Sequence, residues 1–398
     1  MRTVHLSQSP TEHGFVQNPY AHYGKFRSAD AVFWEEYGFW TFARFEDVAT
    51  IFRDHRFGRE ILHVATREDV GLPEPTNTMP AFEALEANSL LEREPPVHTR
   101  LRALVNRAFV SRRVERSREQ LEDLCRSLAR NLQPGDDLLE NYCTPVPITV
   151  ITELLGVPSD MAPQLLDWSH KMVAVYQARR DLAVDVAAEQ AADAFTRYLR
   201  DYVAHRRQAP RKDLLSALIT AEEAGDKLTT DELIANVILL LNAGHEATVH
   251  ALGNGIKTLV QERKHISRGI DPQLVEELLR YDPPLHMFTR YALEDLKWNG
   301  LGLRKGEKVG LLIGAANHDP AANPDPARFD PNRHRPRHVS LGGGIHFCVG
   351  APLARLELEV ALSVLFDEVG TDLEVDVGPY ADTYHFHGLT KLRLAGAP

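Results

Sequence analysis

The segment from residue 229 to 260, TTDELIANVILLLNAGHEATVHALGNGIKTLV, is the longest and most apolar helical pattern in the chain. Its apolar residues recur at three- and four-residue spacing, which predicts one long α-helix. TTDE at its start fits a capping box, in which a threonine and a glutamate three residues later close the first turn. Few charges interrupt ANVILLLNAG, so the helix should cross the interior of the protein.

The composition supports a large core around such a helix. The chain has 398 residues, of which 43% are apolar and 25% are charged, as in ordinary globular proteins. This composition excludes intrinsic disorder and fibrous structure. No Gly/Ser linker, long charge block or internal repeat marks a boundary, so we predict a single domain over residues 1–398.

Most of the remaining pattern between residues 97 and 300 is also helical. Apolar residues keep helical spacing in VHTRLRALVNRAF, ERSREQLEDLCRSLARNL, AADAFTRYLRDYVAHRR and DPQLVEELLRY. Strand patterns are short and lie mainly near the ends, in FWTFARF, KWNGLGL and EKVGLLIG. The proline-rich segment HDPAANPDPARFDPNRHRPRH predicts an ordered meandering loop. The expected fold class is mainly α, with small peripheral β-sheets.

Charge and cysteine content limit the classes of partner. With 45 Lys and Arg against 56 Asp and Glu, the net charge of −11 disfavours binding to nucleic acid or to an anionic membrane. No run of about 18 apolar residues could span a bilayer, and the opening MRTVHLSQSPTEHG lacks the apolar core of a secretory signal. Three dispersed cysteines argue against a disulfide framework. We therefore interpret the chain as cytoplasmic, with neither nucleic acid nor membrane as a partner.

One of the cysteines, Cys348, stands in the segment LGGGIHFCVGAPLARLELEVAL, after a glycine-rich turn and just before a helical pattern. The positive end of a helix and backbone N–H groups freed by the glycines both favour a thiolate. A thiolate held in this way suits the axial position of heme iron, where it donates electron density toward bound dioxygen. Cys125 fits an apolar helical stripe, and we assign it and Cys143 to packing.

The cysteine segment resembles the ligand loop of the cytochrome P450 heme-thiolate monooxygenases in their soluble bacterial form. Five residues match that loop position by position: Gly342, Gly344, His346, Cys348 and Gly350. Leu341 replaces the phenylalanine that the family usually has seven residues before the cysteine. The resemblance extends over roughly residues 15–395. It implies heme b as cofactor, Cys348 as the iron ligand, and a P450-type fold with a long central helix over the heme.

Two further motifs follow the order of the family. EELLR places Glu277 and Arg280 one helical turn apart, and FDPNR supplies Arg333 later in the chain. An isolated E-x-x-R is usually a solvated pair worth a few tenths of a kcal/mol. Because FDPNR and Cys348 follow, we expect Glu277 to bridge the two guanidinium groups and to lock the meandering loop beside the cysteine loop.

The heme propionates need cationic or N–H donors. EPPVHTRLR places His98 and Arg102 four residues apart on one helical face, MFTRYA supplies Arg290, and the cysteine loop supplies His346. These four donors suit two carboxylates in a partly dry pocket. We interpret the neighbouring arginines as a solvated basic face; they are Arg100, Arg107, Arg112 and Arg113. His334 and His338 lack ligands at zinc spacing, which disfavours a metal site there.

LLLNAGHEATVHAL resembles the oxygen-activating part of the family's central helix. Ala243 and Gly244 are small, so the helix can approach the iron closely. Glu246 is expected to be the acid of a proton path. The family usually has threonine at the next position, whose hydroxyl holds the water that delivers protons, but this chain has Ala247. Thr248 follows at a different helical angle, where it either takes part in proton delivery or is a satisfied helix residue.

The pocket implied by the resemblance is mostly apolar, which fits a small hydrophobic substrate with one or two polar groups that could reach His286. Because Ala247 has no hydroxyl, an oxygen atom of the substrate or an extra water would complete the proton path. The predicted lining residues are Leu90 and Leu91; Leu240, Ala243 and Ala247; Leu285, His286, Met287 and Phe288; and the C-terminal turn from His385 to Leu389.

No G-x-G-x-x-G that opens a βαβ unit and no cysteine cluster occurs in the sequence, so the electrons should come from another protein. The expected partners are a ferredoxin and an NAD(P)H-dependent reductase. Arg107, Arg112 and Arg113 could form the dock for an acidic ferredoxin. The expected reaction is insertion of one oxygen atom from O2 into a C–H or C=C bond. The alternatives are direct use of hydrogen peroxide, which Glu246 disfavours, and a non-catalytic heme-binding sensor.

Overall fold

In the computed structural model, the described residues are 2–74, 77–108, 118–223, 228–262 and 269–395. Helices dominate these ranges. The helices are α1 (His13–Gln17), α2 (Tyr23–Phe26), α3 (Phe45–Ile51), α4 (Pro80–Asn88), α5 (Val97–Ala108), α6 (Arg118–Asn131), α7 (Pro145–Leu155), α8 (Ala162–Val173), α9 (Leu182–Gln208), α10 (Leu214–Glu223), α11 (Thr230–Gln261), α12 (Pro272–Tyr281), α13 (Ile313–Asn317) and α14 (Ala351–Val369). None of the helices in these ranges combines the length and apolar character needed to cross a membrane.

The strands are short. They are β1 (Thr3–Leu6), β2 (Ala31–Trp34), β3 (Phe39–Phe42), β4 (Phe57–Gly58), β5 (Met287–Ala292), β6 (Leu296–Trp298), β7 (Leu301–Leu303), β8 (Lys308–Leu312), β9 (Val375–Val377) and β10 (Leu392–Leu394). Six of them form one mixed sheet in the order β1-β2-β3-β8-β5-β4, and the others form two two-stranded sheets.

The chain divides into two compact units. The first comprises Met1–Ala65, Arg116–Val146 and Ala247–Pro398, and it contains every strand named above. Its sheet buries aromatic residues on both sides: Phe42 and Phe57 pack with Trp298, and Phe15 and Trp34 pack with Tyr384. In the same unit, α14 packs along α6. This packing fixes the start of α14, which lies three residues after Cys348.

The second unit comprises Thr66–Glu115 and Pro147–Glu246 and is built of helices. In it, α9 packs against α4 and α8. The buried side chain of Arg206 forms an ion pair with Asp213 and donates to the carbonyl of Gly156 at 3.2 Å. Gly156 has φ +75°, and a Cβ there would overlap Asp213. Glycine is therefore required at this turn for both its conformation and its lack of a side chain.

The predicted long helix is present as α11. The capping box is also present: the N–H of Thr229 donates to Oε2 of Glu232 at 2.9 Å, and the N–H of Glu232 donates to Oγ1 of Thr229 at 3.1 Å. The helix is buried over most of its first half and becomes accessible along one face from about residue 242. Ala243 is exposed on this face, and Glu246 and Ala247 are half-buried.

The mainly α fold class with small sheets is confirmed. The predicted strands FWTFARF, KWNGLGL and EKVGLLIG correspond to β3, β6 with β7, and β8, although the last two residues of EKVGLLIG already belong to α13. Hydrogen bonding also orders the proline-rich loop, as described below. The single domain over residues 1–398 stays a prediction.

Candidate active site

The Cys348 loop is closed by backbone hydrogen bonds. The N–H of Cys348 donates to the carbonyl of Leu341 at 2.9 Å, and the N–H of Phe347 donates to that of Gly344 at 3.2 Å. Gly342 and Gly344 have φ of +71° and +66°, which favour glycine. The loop leads directly into α14, so the thiol lies near the positive end of a 19-residue helix.

Phe52 connects this loop to Arg290. A Cβ on Gly344 would overlap the carbonyl oxygen of Phe52, and one on Gly343 would lie 3.0 Å from the Phe52 side chain. The guanidinium of Arg290 lies over the same ring, 5.1 Å from its centroid. Two of the predicted propionate donors, Arg290 and His346, thus belong to segments that meet around Phe52. Arg290 is 4% exposed, so its charge lies inside the protein.

Glu276 and Arg355 lie beside the cysteine loop. Glu276 binds Nε of Arg355 and lies 2.9 Å from Nε2 of His338. Burial alone would raise the pKa of Glu276, but the hydrogen bonds with His338 and Arg355 lower it to about 2. The Glu276 carboxylate, and to a smaller extent a charged Cys348, raise the pKa of Arg355. By the same interaction, Arg355 favours the thiolate of Cys348.

A polar cavity of about 330 Å³ lies next to the loop. Three arginines and two glutamates are among its lining residues, together with Leu341 and Phe347 of the cysteine loop. The charged residues are Arg53, Arg337, Arg355, Glu46 and Glu276. Glu46 pairs with Arg337 and Glu276 pairs with Arg355, so the face around this cavity carries an excess of one positive charge close to Cys348.

The predicted bridge between two guanidinium groups is present. Glu277 binds Arg280 through both carboxyl oxygens, at 2.7 and 2.8 Å, and Nε of Arg333 lies 3.2 Å from each of them. Glu277 and Arg280 have no exposed surface. Both arginines also donate to carbonyls of the proline-rich loop, among them Pro324, Pro326 and Arg328. The loop is thus held by charge-assisted hydrogen bonds.

A hydrogen-bonded path leads from this cluster to the cysteine loop. Arg280 donates to the carbonyl of Asn317, and the Asn317 side chain accepts from the N–H of Val339 and donates to Oγ of Ser340. The carbonyl of Val339 then accepts from the N–H of Gly342 at 2.9 Å. Position and conformation of the cysteine loop therefore depend on the buried Glu277 cluster.

On α11, the contacts of Gly244 differ from those expected. A Cβ on Gly244 would lie 2.9 Å from the side chain of Ile151 on α7. Close packing of α11 on α7 is thus sufficient reason for glycine here, and contact of Gly244 with heme stays a prediction. Oε2 of Glu246 lies 3.5 Å from Nε2 of His170 and 3.6 Å from Nε2 of His245.

Thr248 has a buried acidic partner. Its hydroxyl interacts with the carboxyl of Glu357 on α14. Glu357 is 1% exposed, and its Oε1 accepts no hydrogen bond from the described residues. Burial raises the pKa of Glu357 to about 8, which the Thr248 hydrogen bond opposes. The site thus holds a carboxyl group that is protonated at neutral pH.

The second unit carries His98 and Arg102 on one face of α5. His98 is 2% exposed and Arg102 is half-buried. The interpretation of Arg100 as a solvated arginine is wrong, since its guanidinium binds both oxygens of Glu232 at 2.6 and 3.0 Å. Arg107 is exposed, whereas Arg112 and Arg113 lie outside the described residues.

The predicted pocket residues of the first unit form two groups. Leu285 and Phe288 are half-buried, and Leu285 forms a β-bridge with Phe386 of the C-terminal turn, which joins two predicted lining segments. His286 is fully buried, and its ring nitrogens lie close to the hydroxyls of Tyr23 and Tyr20. Burial lowers its pKa, so the ring is neutral.

Met287 packs with Phe15 and Trp34 in the aromatic core. The burial of His286 and Met287 argues against contact of either side chain with substrate. In the second unit, Leu90 and Leu240 are buried and Leu91 is half-buried. Their contact with substrate stays a prediction.

Sequence reasoning missed Phe52, Arg355 and Glu357. Phe52 and Arg355 carry no motif of their own. Glu357 had one available signal: a glutamate within the apolar run of ARLELEVALSVLF, nine residues after the cysteine, where helical periodicity places it on the buried face of α14.

The donor set fits a heme. A cysteine near a helix N-terminus, a neighbouring guanidinium and a glycine loop packed against Phe52 provide a thiolate. The buried Arg290 provides a cation for a propionate in the same unit. The remaining predicted propionate donors are His346 in this unit and His98 and Arg102 in the second.

We predict that Glu277→Gln lowers the free energy of unfolding by about 3 to 5 kcal/mol, because it leaves the buried Arg280 and the half-buried Arg333 without their carboxylate. The matched control is Glu46→Gln, which removes the exposed carboxylate paired with Arg337 and should cost less than about 1 kcal/mol. Urea titration of both variants measures the difference. Equal losses would contradict the role of Glu277.

Glu357 should make stability depend on pH. Its folded-state pKa of about 8 lies above the ordinary value of 4.5. The contribution of its proton to the free energy of unfolding is therefore fully present below about pH 4.5 and is lost as the pH rises through 8. Glu357→Gln should remove this loss. Its stability relative to wild type should therefore increase from pH 5 to pH 8, by at most about 1.4 kcal/mol per pH unit.

The control for this titration is the exposed Glu153→Gln, whose unfolding free energy should follow that of wild type across the same range. Urea titrations at several pH values provide the measurement. Parallel curves for Glu357→Gln and wild type would contradict the raised pKa.

Comparison with known proteins agrees with the geometry. The family model described as "Cytochrome P450" matches residues 35–268 and 272–373. The chain is 34% identical over 380 residues to the polyketide biosynthesis cytochrome P450 PksS of Bacillus subtilis strain 168, covering 92% of this chain and 91% of that protein. It is 36% identical over 365 residues to cytochrome P450 107B1 of Saccharopolyspora erythraea, covering 89% and 88%.

This chain is also similar to a solved structure, that of P450BioI in complex with an acyl carrier protein ligated to hexadec-9Z-enoic acid. The TM-score is 0.89 and the sequence identity is 29%. The match covers 96% of this chain and all of the P450BioI chain. The matches over most of the chain agree with the geometry of the Cys348 loop. The chain belongs to the cytochrome P450 family and is a heme b-dependent monooxygenase, an oxidoreductase.

Proposed function

We propose that the protein inserts one oxygen atom from O2 into a C–H or C=C bond of a small hydrophobic substrate that itself carries oxygen. The observation that carries the proposal is the accessible face of α11, where the half-buried Glu246 is followed by Ala247 in place of a hydroxyl-bearing residue. An acid at this position supports a reaction that consumes protons, as reduction of O2 does.

Each predicted residue has a role in this proposal. Cys348 would hold the heme iron through its sulfur, and Arg355 and the start of α14 favour its thiolate. Arg290, His346, His98 and Arg102 bind the two propionates. The heme, when bound, supplies the activation of dioxygen. Glu277, Arg280 and Arg333 act at a distance, because they hold the loop segments that position Cys348.

Proton delivery is assigned to Glu246. Its Oε2 lies 3.5 Å from Nε2 of His170 and 3.6 Å from Nε2 of His245, and the 17% exposure of its side chain allows exchange of protons with solvent. Ala247 has no hydroxyl to fix the last water. A hydroxyl or carbonyl of the substrate, or a further water, takes that place. Thr248 interacts with Glu357 and is therefore assigned a positioning role.

Electrons come from a separate ferredoxin and an NAD(P)H-dependent reductase. The sequence proposed Arg107, Arg112 and Arg113 as the dock. The face with Arg53, Arg337 and Arg355 is a second candidate, which its position beside Cys348 favours because electron transfer is faster over short distances. Charge reversal at Arg53 tests this second dock, and reversal at Arg107 tests the first.

The substrate requirement is tested by coupling, the fraction of NAD(P)H consumption that yields oxidised product. Candidate substrates are found by their spin-state shift, with hydrophobic oxygen-bearing small molecules and acyl chains on a carrier protein in the panel. We expect lower coupling for an analogue that lacks the substrate oxygen nearest the oxidised carbon. In Ala247→Thr, which restores a hydroxyl, the analogue should be coupled nearly as well as the substrate.

Equal coupling of substrate and analogue in the wild-type enzyme would contradict the proposal. Product formation from hydrogen peroxide alone, at the rate of the complete system, would favour the peroxide-using alternative. Substrate binding without NAD(P)H consumption in the presence of competent redox partners would favour a sensor.

A further inference from the structure

Two histidines and a glutamate converge in the second unit, at the end of α8 and the middle of α11. Oε2 of Glu246 lies 3.5 Å from Nε2 of His170 and 3.6 Å from Nε2 of His245. The three ligand atoms all lie within 4.8 Å of one another. We propose that these side chains bind one divalent transition-metal ion, with zinc as the best match.

The distances suit zinc. Ligand atoms about 2.0–2.1 Å from a tetrahedral zinc are roughly 3.3–3.4 Å apart. The two separations from Oε2 of Glu246 exceed this by only a few tenths of an ångström, and the two imidazole nitrogens lie within 4.8 Å of each other. Rotation of the exposed His170 side chain would bring the three atoms onto one ion. Two imidazoles and one carboxylate are also a donor set that zinc prefers over magnesium or calcium.

The orientation of the His245 ring points in the same direction. Its Nδ1 lies 2.8 Å from the carbonyl oxygen of Leu241, which can only accept, so Nδ1 carries a hydrogen. Nε2 is therefore the ring nitrogen that faces the Glu246 carboxylate. A backbone carbonyl that fixes the other ring nitrogen is also the usual arrangement around metal-binding histidines.

The site can be reached from solvent through His170. The side chain of His170 is 58% exposed, that of Glu246 is 17% exposed, and that of His245 is 1% exposed. A fourth coordination position is thus open to water. In the first unit, Asp282, His286 and His387 also converge. There, however, Lys257 already lies 2.6 Å from the Asp282 carboxylate and supplies the cation, so we assign no metal to that cluster.

Zinc at this site would occupy the Glu246 carboxylate and inhibit turnover reversibly. This consequence rests on the proton-delivery role proposed for Glu246, whereas metal binding itself does not. His170 is the residue to vary, because it is exposed and lies outside the predicted heme and substrate residues. His205, an exposed histidine on α9, provides the matched control.

The experiment titrates the heme-loaded enzyme, treated with a chelator to remove other divalent metals and then freed of the chelator, with zinc chloride by calorimetry, for the wild type, His170→Ala and His205→Ala. We expect one zinc site whose affinity falls at least about tenfold in His170→Ala and is unchanged in His205→Ala. X-ray absorption at the zinc edge should show imidazole nitrogen ligands at about 2.0–2.1 Å. Absence of zinc binding, or equal affinity in wild type and His170→Ala, would overturn the proposal.

Measurements of turnover in the presence of zinc test the metal site and the proton-delivery role of Glu246 separately. Zinc should slow substrate oxidation in the wild type, a chelator should restore it, and His170→Ala should resist inhibition. Binding that depends on His170 but leaves turnover unchanged would support the metal site and contradict the proton-delivery role of Glu246.

Discussion

The contact of Glu277 with two guanidinium groups is the interaction on which the cysteine side of the site depends. A carboxylate with no exposed surface is costly to bury, and this one is compensated by Arg280, Arg333 and the N–H of Asp330. The arginines in turn donate to carbonyls of a proline-rich loop that has little regular structure of its own. Through Asn317 and Val339 the same network reaches Gly342. The position of Cys348 therefore depends on the ionic contacts of Glu277, which lies some 70 residues earlier in the sequence.

The long helix α11 carries the residues that we propose for proton delivery. Its first half is buried and capped, whereas the face with Ala243, Glu246 and Ala247 is accessible. Two carboxyl groups have different surroundings: Glu246 lies near two histidines, and Glu357 lies in the core with Thr248. Glu246 is therefore accessible to solvent, whereas burial keeps Glu357 protonated at neutral pH. That difference supports an assignment of proton transfer to Glu246 and of positioning to Thr248.

Local patterns in the sequence predicted what depends on local physics. Helical spacing, the Thr229 capping box, the glycines around Cys348 and the Glu277–Arg280 pair each follow from residues within a few positions of one another. The contacts that sequence reasoning did not anticipate join distant segments. Arg100 binds Glu232, Gly244 packs on Ile151, and Thr248 interacts with Glu357. The burial of His286 by Tyr20 and Tyr23 has the same origin. Spacing along the chain carries no information on such pairs without the fold.

The central claim is that Cys348 ligates heme iron as a thiolate. It is tested most directly by the carbon monoxide difference spectrum of the reduced protein, with Cys348→Ala and the buried Cys143→Ala measured alongside. The account predicts a strongly red-shifted Soret band in the wild type and in Cys143→Ala, and its loss in Cys348→Ala. A band typical of histidine ligation in the wild type, or a red-shifted band that survives in Cys348→Ala, would contradict it.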